Sequence, residues 1–293
     1  MKNAFFFLVA VILLSCNTKP KNNSKAGNTE KSTPKLELIW ESDTLLRTPE
    51  SVLLDTKNNI LYVSNINSNP WEKDGNGFIS KMDKEGNITE LKWVEGLSAP
   101  KGMGLQGNQL FVADIDELVQ IDVESASIAA RYPATADAQL NDVTVGDDGN
   151  VYVSASGTSK IYKLEKGILA PVFEGKKGDE RFNGLYWEKD RMMLVTSGSS
   201  QFLAIPWLTM EAKLISENMG AGDAVCGLGD GNYITTSWSG TIFYVDSEGK
   251  VTTLLDTQEQ EENTADAAYS VKDQVLYVPT FFKNQVKAYR LIR

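Results

Sequence analysis

Six short apolar runs recur along the chain at nearly even intervals. They are Ile60-Leu61-Tyr62-Val63, Leu110-Phe111-Val112, Val151-Tyr152-Val153, Met192-Met193-Leu194-Val195, Tyr233-Ile234-Thr235 and Val275-Leu276-Tyr277-Val278. Their last residues are spaced by 49, 41, 42, 40 and 43 positions, the period of a propeller blade. Each run is rich in aromatic and β-branched residues and follows a turn such as Lys57-Asn58-Asn59, Asp147-Asp148-Gly149-Asn150 or Asp230-Gly231-Asn232, so each predicts the second arm of a hairpin. A third strand alternating with period two comes next, as in Lys160-Ile161-Tyr162-Lys163-Leu164 and Thr241-Ile242-Phe243-Tyr244-Val245, then a fourth, as in Ile128 to Tyr132 and Val251 to Leu255. Four strands in each of six repeats predict an all-β, six-bladed propeller.

The sixth repeat stops at Arg293, just after its third strand, Gln285 to Tyr289, while Leu36-Glu37-Leu38-Ile39-Trp40 is a strand with no repeat of its own. The N-terminal strand is therefore expected to complete the last blade and remove the open edge at the ring seam. A sandwich or a row of unrelated hairpins predicts no such match between a missing last strand and a spare first one.

Ahead of that strand, the apolar run from Ala4 to Leu14 is too short for a span of ~20 apolar residues and has the form of a signal-peptide core over 1–15. It ends in Leu13-Leu14-Ser15-Cys16, which is similar to the lipobox of bacterial lipoproteins and implies acylation of Cys16 after cleavage. Residues 17–34 are almost wholly Asn, Lys, Ser, Thr, Gly and Pro with little to bury, the composition of a disordered tether with a reach of about 24 Å. The expected order is thus signal peptide (1–15), lipidated cysteine and tether (16–34), and propeller (35–293), placed in the cell envelope and meeting the membrane through its lipid only.

Without 1–15 the chain carries 28 basic and 39 acidic residues, a net charge of −11, which repels phosphate backbones and argues against nucleic acid as a partner. Cys226 is the only cysteine besides Cys16. It lies in an expected inner strand, where a thiol is most often a small buried hydrophobe. No histidine occurs anywhere, which excludes Ser-His-Asp triads and histidine-ligated zinc or haem.

Aligning the repeats on their second strands places one position about twelve residues upstream, at the entrance of each inner strand: Glu50, Lys101, Asn141, Asn183, Asp223 and Asp266. Six polar side chains should therefore meet at one mouth of the central channel. The loops between second and third strands share that face and bring Trp71, Trp238 and Phe281-Phe282 to the rim, an arrangement suited to a small-molecule ligand. Glu50, Asp223 and Asp266 repel one another and Lys101 offsets a single charge, so either a cation sits among them or a carboxyl stays protonated. With amide oxygens from Asn183 and Asn141 the donor set is hard, suiting Ca²⁺ or Mg²⁺. The same residues also read as caps on strand ends around a water-filled channel, and the ring alone leaves both readings open.

Glu50 after Pro49, Asn141-Asp142, Asn183-Gly184 and Asp223 at that one register resemble the SMP-30/gluconolactonase/luciferin-regenerating-enzyme family, six-bladed propellers with a divalent cation in the channel, many of them lactone hydrolases. The resemblance implies Glu50, Asn183 and Asp223 as metal ligands and Asn141 in contact with substrate or a metal-bound water. It implies Asp223 as general base with Asp266 as the second candidate and Lys101 near a developing oxyanion or carboxylate product; Trp238 on the aromatic rim is, apart from the resemblance, a candidate to stack on a sugar ring. Lys101 as an internal counter-ion to Asp266 or Glu50 is the plainer reading of that residue. The pattern departs from the family at Val143 and Ala224, where it has glycine, and at Gln139, where it often has arginine. The chain thus reads as a metal-dependent hydrolase of a lactone or related small ester, with a lactone or sugar acid as its small-molecule ligand, or as a non-catalytic propeller binding a ligand or protein at the same centre, in either case a monomer. A strictosidine-synthase-like propeller is a third reading, without the full ligand set.

Overall fold

The computed structural model describes residues 33–176 and 179–293 beside Met1. The signal peptide, Cys16 and nearly all of the tether lie outside the described residues. Thr33–Arg293 is one compact unit made of six four-stranded antiparallel sheets, the six-bladed propeller the repeats predict.

The seam closes as expected. Lys35–Glu41 is the outermost strand of the last sheet and pairs antiparallel with Val286–Ile292, Lys35 opposite Ile292 and Leu38 opposite Tyr289. A second clasp lies at the hub, where Val52 N–H donates to the Asp266 carbonyl (3.1 Å) and Asp266 N–H to the Glu50 carbonyl (3.0 Å). The first and last blades are thus joined at both their outer and inner strands.

No single core fills the molecule; apolar side chains pack in wedges between neighbouring blades. Tyr62, Ile79 and Trp93 of blade one interleave with Met103, Val112 and Val119 of blade two, and Ala224, Cys226 and Ile234 of blade five with Leu276, Val278 and Leu291 of blade six. Inner and second strands are covered on both faces, so Val151–Ala155 and Tyr233–Ser237 are buried throughout. An outermost strand such as Ser127–Pro133 alternates strictly between exposed and partly buried positions. Second strands therefore appear in the sequence as unbroken apolar runs, the feature that reveals the period.

The inner strands carry the ring. They are Pro49–Asp55, Pro100–Gln106, Leu140–Val145, Phe182–Trp187, Gly222–Gly227 and Ala268–Ser270. Five of the six pair irregularly with the second strand at their first residues: between Pro49 and Ser51, Pro100 and Met103, Leu140 and Val143, Phe182 and Leu185, and Gly222 and Val225. Such irregularities re-aim side chains, and here they fall on the ring register. Hydroxyls at one position of the second strand support the displaced backbone: Ser64, Ser154 and Thr236 each accept from the inner strand, from the N–H of Ser51, Asp142 and Ala224, all at 2.9 Å.

Candidate functional site

All six ring residues are at most 9 % exposed: Glu50, Lys101, Asn141, Asn183, Asp223 and Asp266. Two glycines allow the inner strands to converge this far. A Cβ on Gly184 would stand 2.1 Å from the Asp223 carbonyl oxygen, and one on Gly102 would stand 2.5 Å from the Asp142 Cα. Asn183-Gly184 thus combines a polar donor with the close approach that brings blade five beside it.

Asn183 Nδ2 donates to Asp223 Oδ1 at 2.9 Å, so these two residues meet directly. Asn183 Oδ1 and Glu50 Oε2 are buried and accept from no group. An orphaned buried carboxylate or amide oxygen is costly, and both lie in the ring where the sequence places hard-cation ligands. Among the described residues, no group of three or more acidic or cysteine side chains is arranged to hold a metal ion by itself. Any cation here must therefore draw on amide oxygen as well as carboxylate, which the orphaned Asn183 Oδ1 supplies. The donor set fits a hard divalent ion.

Burial, and then the charge of Asp266, pushes the Asp223 carboxyl up to about 8. Asp266, raised by burial and eased by hydrogen bonds from the Ser51 hydroxyl and the Ala267 N–H, titrates at about 7. The two carboxyls titrate as a coupled pair, the charge on one favouring the proton on the other. Glu50 is pushed well above the usual carboxylate range by burial, Lys101 opposing and Asp223 and Asp266 reinforcing.

Lys101 makes no salt bridge among the described residues. Its ammonium donates to the Pro70 carbonyl at 3.0 Å and lies 4.4 Å from the centre of the Trp71 ring, a cation–π contact. Burial lowers its pKa, against the fields of Glu50, Asp114 and Asp223. It is a counter-charge at a distance. Asn141 donates from Nδ2 to Ser156 Oγ at 3.1 Å, which leaves its amide oxygen free to turn to the channel.

Trp238 stands on the same face, with ring centres 5.5 Å from Phe281 and 6.0 Å from Phe282, both edge-on. Its backbone N–H donates to the Ala221 carbonyl, two residues before Asp223. Phe281 also packs with Ile66, Ala99, Ile115 and Ala265, so an apolar arc runs over blades five, six, one and two. The φ of Phe281 is +50° and that of Ile115 +61°, left-handed conformations unusual for a bulky or β-branched residue.

Two functional-layer residues escape the alignment that reveals the ring. Asp142, next to Asn141, is buried and accepts from the N–H of Val143 (2.6 Å) and of Leu185 (2.5 Å), tying blade three to blade four. Ser51 donates to Asp266 Oδ2 at 2.5 Å, tying blade one to blade six. Both stand one position past the ring, where the other repeats have only Gly or Ala, so no six-fold pattern marks them. Below this layer the channel widens into a cavity of about 220 Å³ lined by Val52, Met103, Asp142, Leu185, Cys226 and Asp266. Cys226 is buried there, with its thiol pKa raised by burial and its Sγ 3.1 Å from the Ala267 carbonyl, in keeping with a packing role.

No protein-family model and no curated protein matches the chain. Among solved structures, a gluconolactonase from Xanthomonas campestris matches with a TM-score of 0.69 at 14% identity, over 88% of this chain and 89% of that one. A calcium-binding protein, regucalcin, from Agrobacterium tumefaciens matches with a TM-score of 0.67 at 14% identity, over 86% and 93%. A catalytically inactive histidine-to-alanine variant of virginiamycin B lyase from Staphylococcus aureus, with quinupristin, matches with a TM-score of 0.64 at 14% identity, over 89% and 100%. At this identity the likeness shows a shared propeller fold alone.

Proposed function

We propose that the ring holds a hard divalent cation, Ca²⁺ or Mg²⁺, and that the protein hydrolyses a lactone or related small ester at it. The observation that carries this reading is the pair of orphaned buried oxygens, Glu50 Oε2 and Asn183 Oδ1, in a ring where Asp223 meets Asn183 directly. Glu50, Asn183 and Asp223 are the ligands in this proposal. A cation bound there polarises an ester carbonyl and acidifies a nearby water.

The chain's own groups do the rest. Asp223 or, because it need not coordinate, Asp266 accepts the proton of the attacking water. Asn141 orients the ligand through its amide, Trp238 packs against the ligand's apolar part, and Lys101 offsets charge that develops on the substrate oxygen. The calcium-binding and gluconolactonase neighbours support the reading through their fold alone. Lyase chemistry of a kind that fails when a histidine is removed is less suited to a chain without histidine.

A second reading, a propeller that binds a ligand or partner protein without turnover, draws on Asp142 and Asp266. Their carboxylates are already engaged between blades, which makes part of the acidic layer structural. Chelator-stripped protein, resupplied with Ca²⁺ or Mg²⁺ and tested for proton release from a panel of sugar lactones, separates the two. Turnover in the wild type and its loss in Asp223→Asn support the hydrolase; cation binding without turnover leaves the binding propeller. Acylation of Cys16, a tether over 17–34 and residence of a monomer in the cell envelope complete the proposal. Loss of membrane association in Cys16→Ala tests the anchor.

A further inference from the structure

We propose that a cleft on the opposite face, between blades three and four, binds a pyranose ring of a neutral or amino-bearing glycan. Trp187 closes the inner strand whose second residue is Asn183, so at ~3.3 Å per residue it lies roughly 13 Å from the ring along the channel wall. It stands between two adjoining hollows. One, of about 650 Å³, is lined by Asp147, Asp148, Tyr152, Trp187, Lys189 and Trp207. The other, of about 480 Å³, shares Asp147, Trp187 and Lys189 and adds Thr144, Tyr186 and Asp190. Both sizes suit a small ligand.

The chemistry of the walls selects the occupant. Tyr152 and Trp207 hold their rings 5.3 Å apart, and Trp207 is fixed by its Nε1–H donating to the Glu188 carbonyl at 2.9 Å. Glu188 is itself occupied by Arg191 and Tyr233, while Asp147 and Lys189 are exposed and make no salt bridge among the described residues. The part-exposed Trp187 and Trp207, backed by the buried Tyr152 and flanked by the exposed Asp147 carboxylate and Lys189 ammonium, match a sugar ring, which offers C–H faces for stacking and hydroxyls at its edge. A wholly apolar ligand would leave the carboxylates desolvated without partners. An anionic glycan would meet Asp147, Asp148 and Asp190 against Lys189 alone.

The test is calorimetric titration of the protein with cellobiose, N,N′-diacetylchitobiose and digalacturonate, with tryptophan fluorescence in parallel. Saturable binding of a neutral disaccharide is expected, about tenfold or more weaker in Trp187→Ala, weakened also in Asp147→Asn/Lys189→Ala, and retained in Glu50→Gln. The paired surface variant decides the question if Trp187→Ala does not fold. No binding by either neutral probe, binding of digalacturonate as tight as theirs, or binding lost in Glu50→Gln but kept in the cleft variants would each overturn the assignment.

Discussion

Cation binding at the ring should expel protons, in a number the buried carboxyls fix. With Asp223 at about 8 and Asp266 at about 7, about nine-tenths of the first and about half of the second are protonated at pH 7. A cation liganded by Asp223 requires its carboxylate and discharges about 0.9 proton from that residue alone. The field of the cation draws up to about half a proton more from Asp266, and Glu50, shifted in the same direction, adds to the total. At pH 9 about a tenth of Asp223 still carries a proton, so its release shrinks about ninefold. Calcium titrations of stripped protein in buffers of different ionisation enthalpy count the protons at each pH. Binding that releases none at pH 7, or equal numbers at pH 7 and 9, would refute coordination by these carboxyls.

Asp223→Asn should abolish cation binding and lower any ester hydrolysis by about a hundredfold or more while leaving the far-ultraviolet circular dichroism unchanged; retained turnover would exclude Asp223 as ligand and base. Because burial raises the Asp223 pKa from its ordinary 3.8 to about 8, the folded state binds more protons than the unfolded one between these values. Stability of the metal-free protein therefore falls as pH rises from about 4 through about 8 and levels off above, by up to about 5 kcal/mol for a shift of this size; melting curves from pH 5 to pH 9 check the sign, and calcium should restore most at the alkaline end. Gly184→Ala forces a Cβ to within 2.1 Å of the Asp223 carbonyl, so it should cost about 1–3 kcal/mol or more in chemical denaturation and weaken cation binding as blade five is pushed away. A chain starting at residue 42 leaves the edge of Val286–Ile292 unpaired and should aggregate in light scattering.

The fold was legible because propeller geometry buries second strands on both faces and repeats that burial six times. Val63, Val112, Val153, Val195, Thr235 and Val278 are 1 % exposed or less, so the spacing of apolar runs reports the spacing of blades directly. The ring was legible for the same reason, since one register recurs wherever an inner strand enters the channel. Asp142 and Ser51 were not, because they act through single contacts between particular blades that no repeat multiplies. Trp187 and Trp207 were hidden in another way: they lie 39 or more positions from the turn residues Asp147 and Asp148 that share their cleft, and only the packing of two blades brings them together.

Lys101 bears directly on the proposed cation once the side chains are placed. Read from the sequence it neutralises one of three carboxylates, which would leave a modest imbalance. In the fold its ammonium is engaged by the Pro70 carbonyl and the Trp71 ring, so it lowers the energy of the ionised ring only from a distance. The carboxyls answer by holding protons, as the upward shifts of Glu50 and Asp223 record. A proton on Glu50 leaves Asn183 Oδ1 without a donor in this arrangement, whereas the proposed divalent ion would satisfy both oxygens and the charge together. That double deficit, of positive charge and of partners for oxygen, favours the proposed cation over a set of strand caps, whose acceptors would be filled by backbone N–H groups as those of Asp142 are.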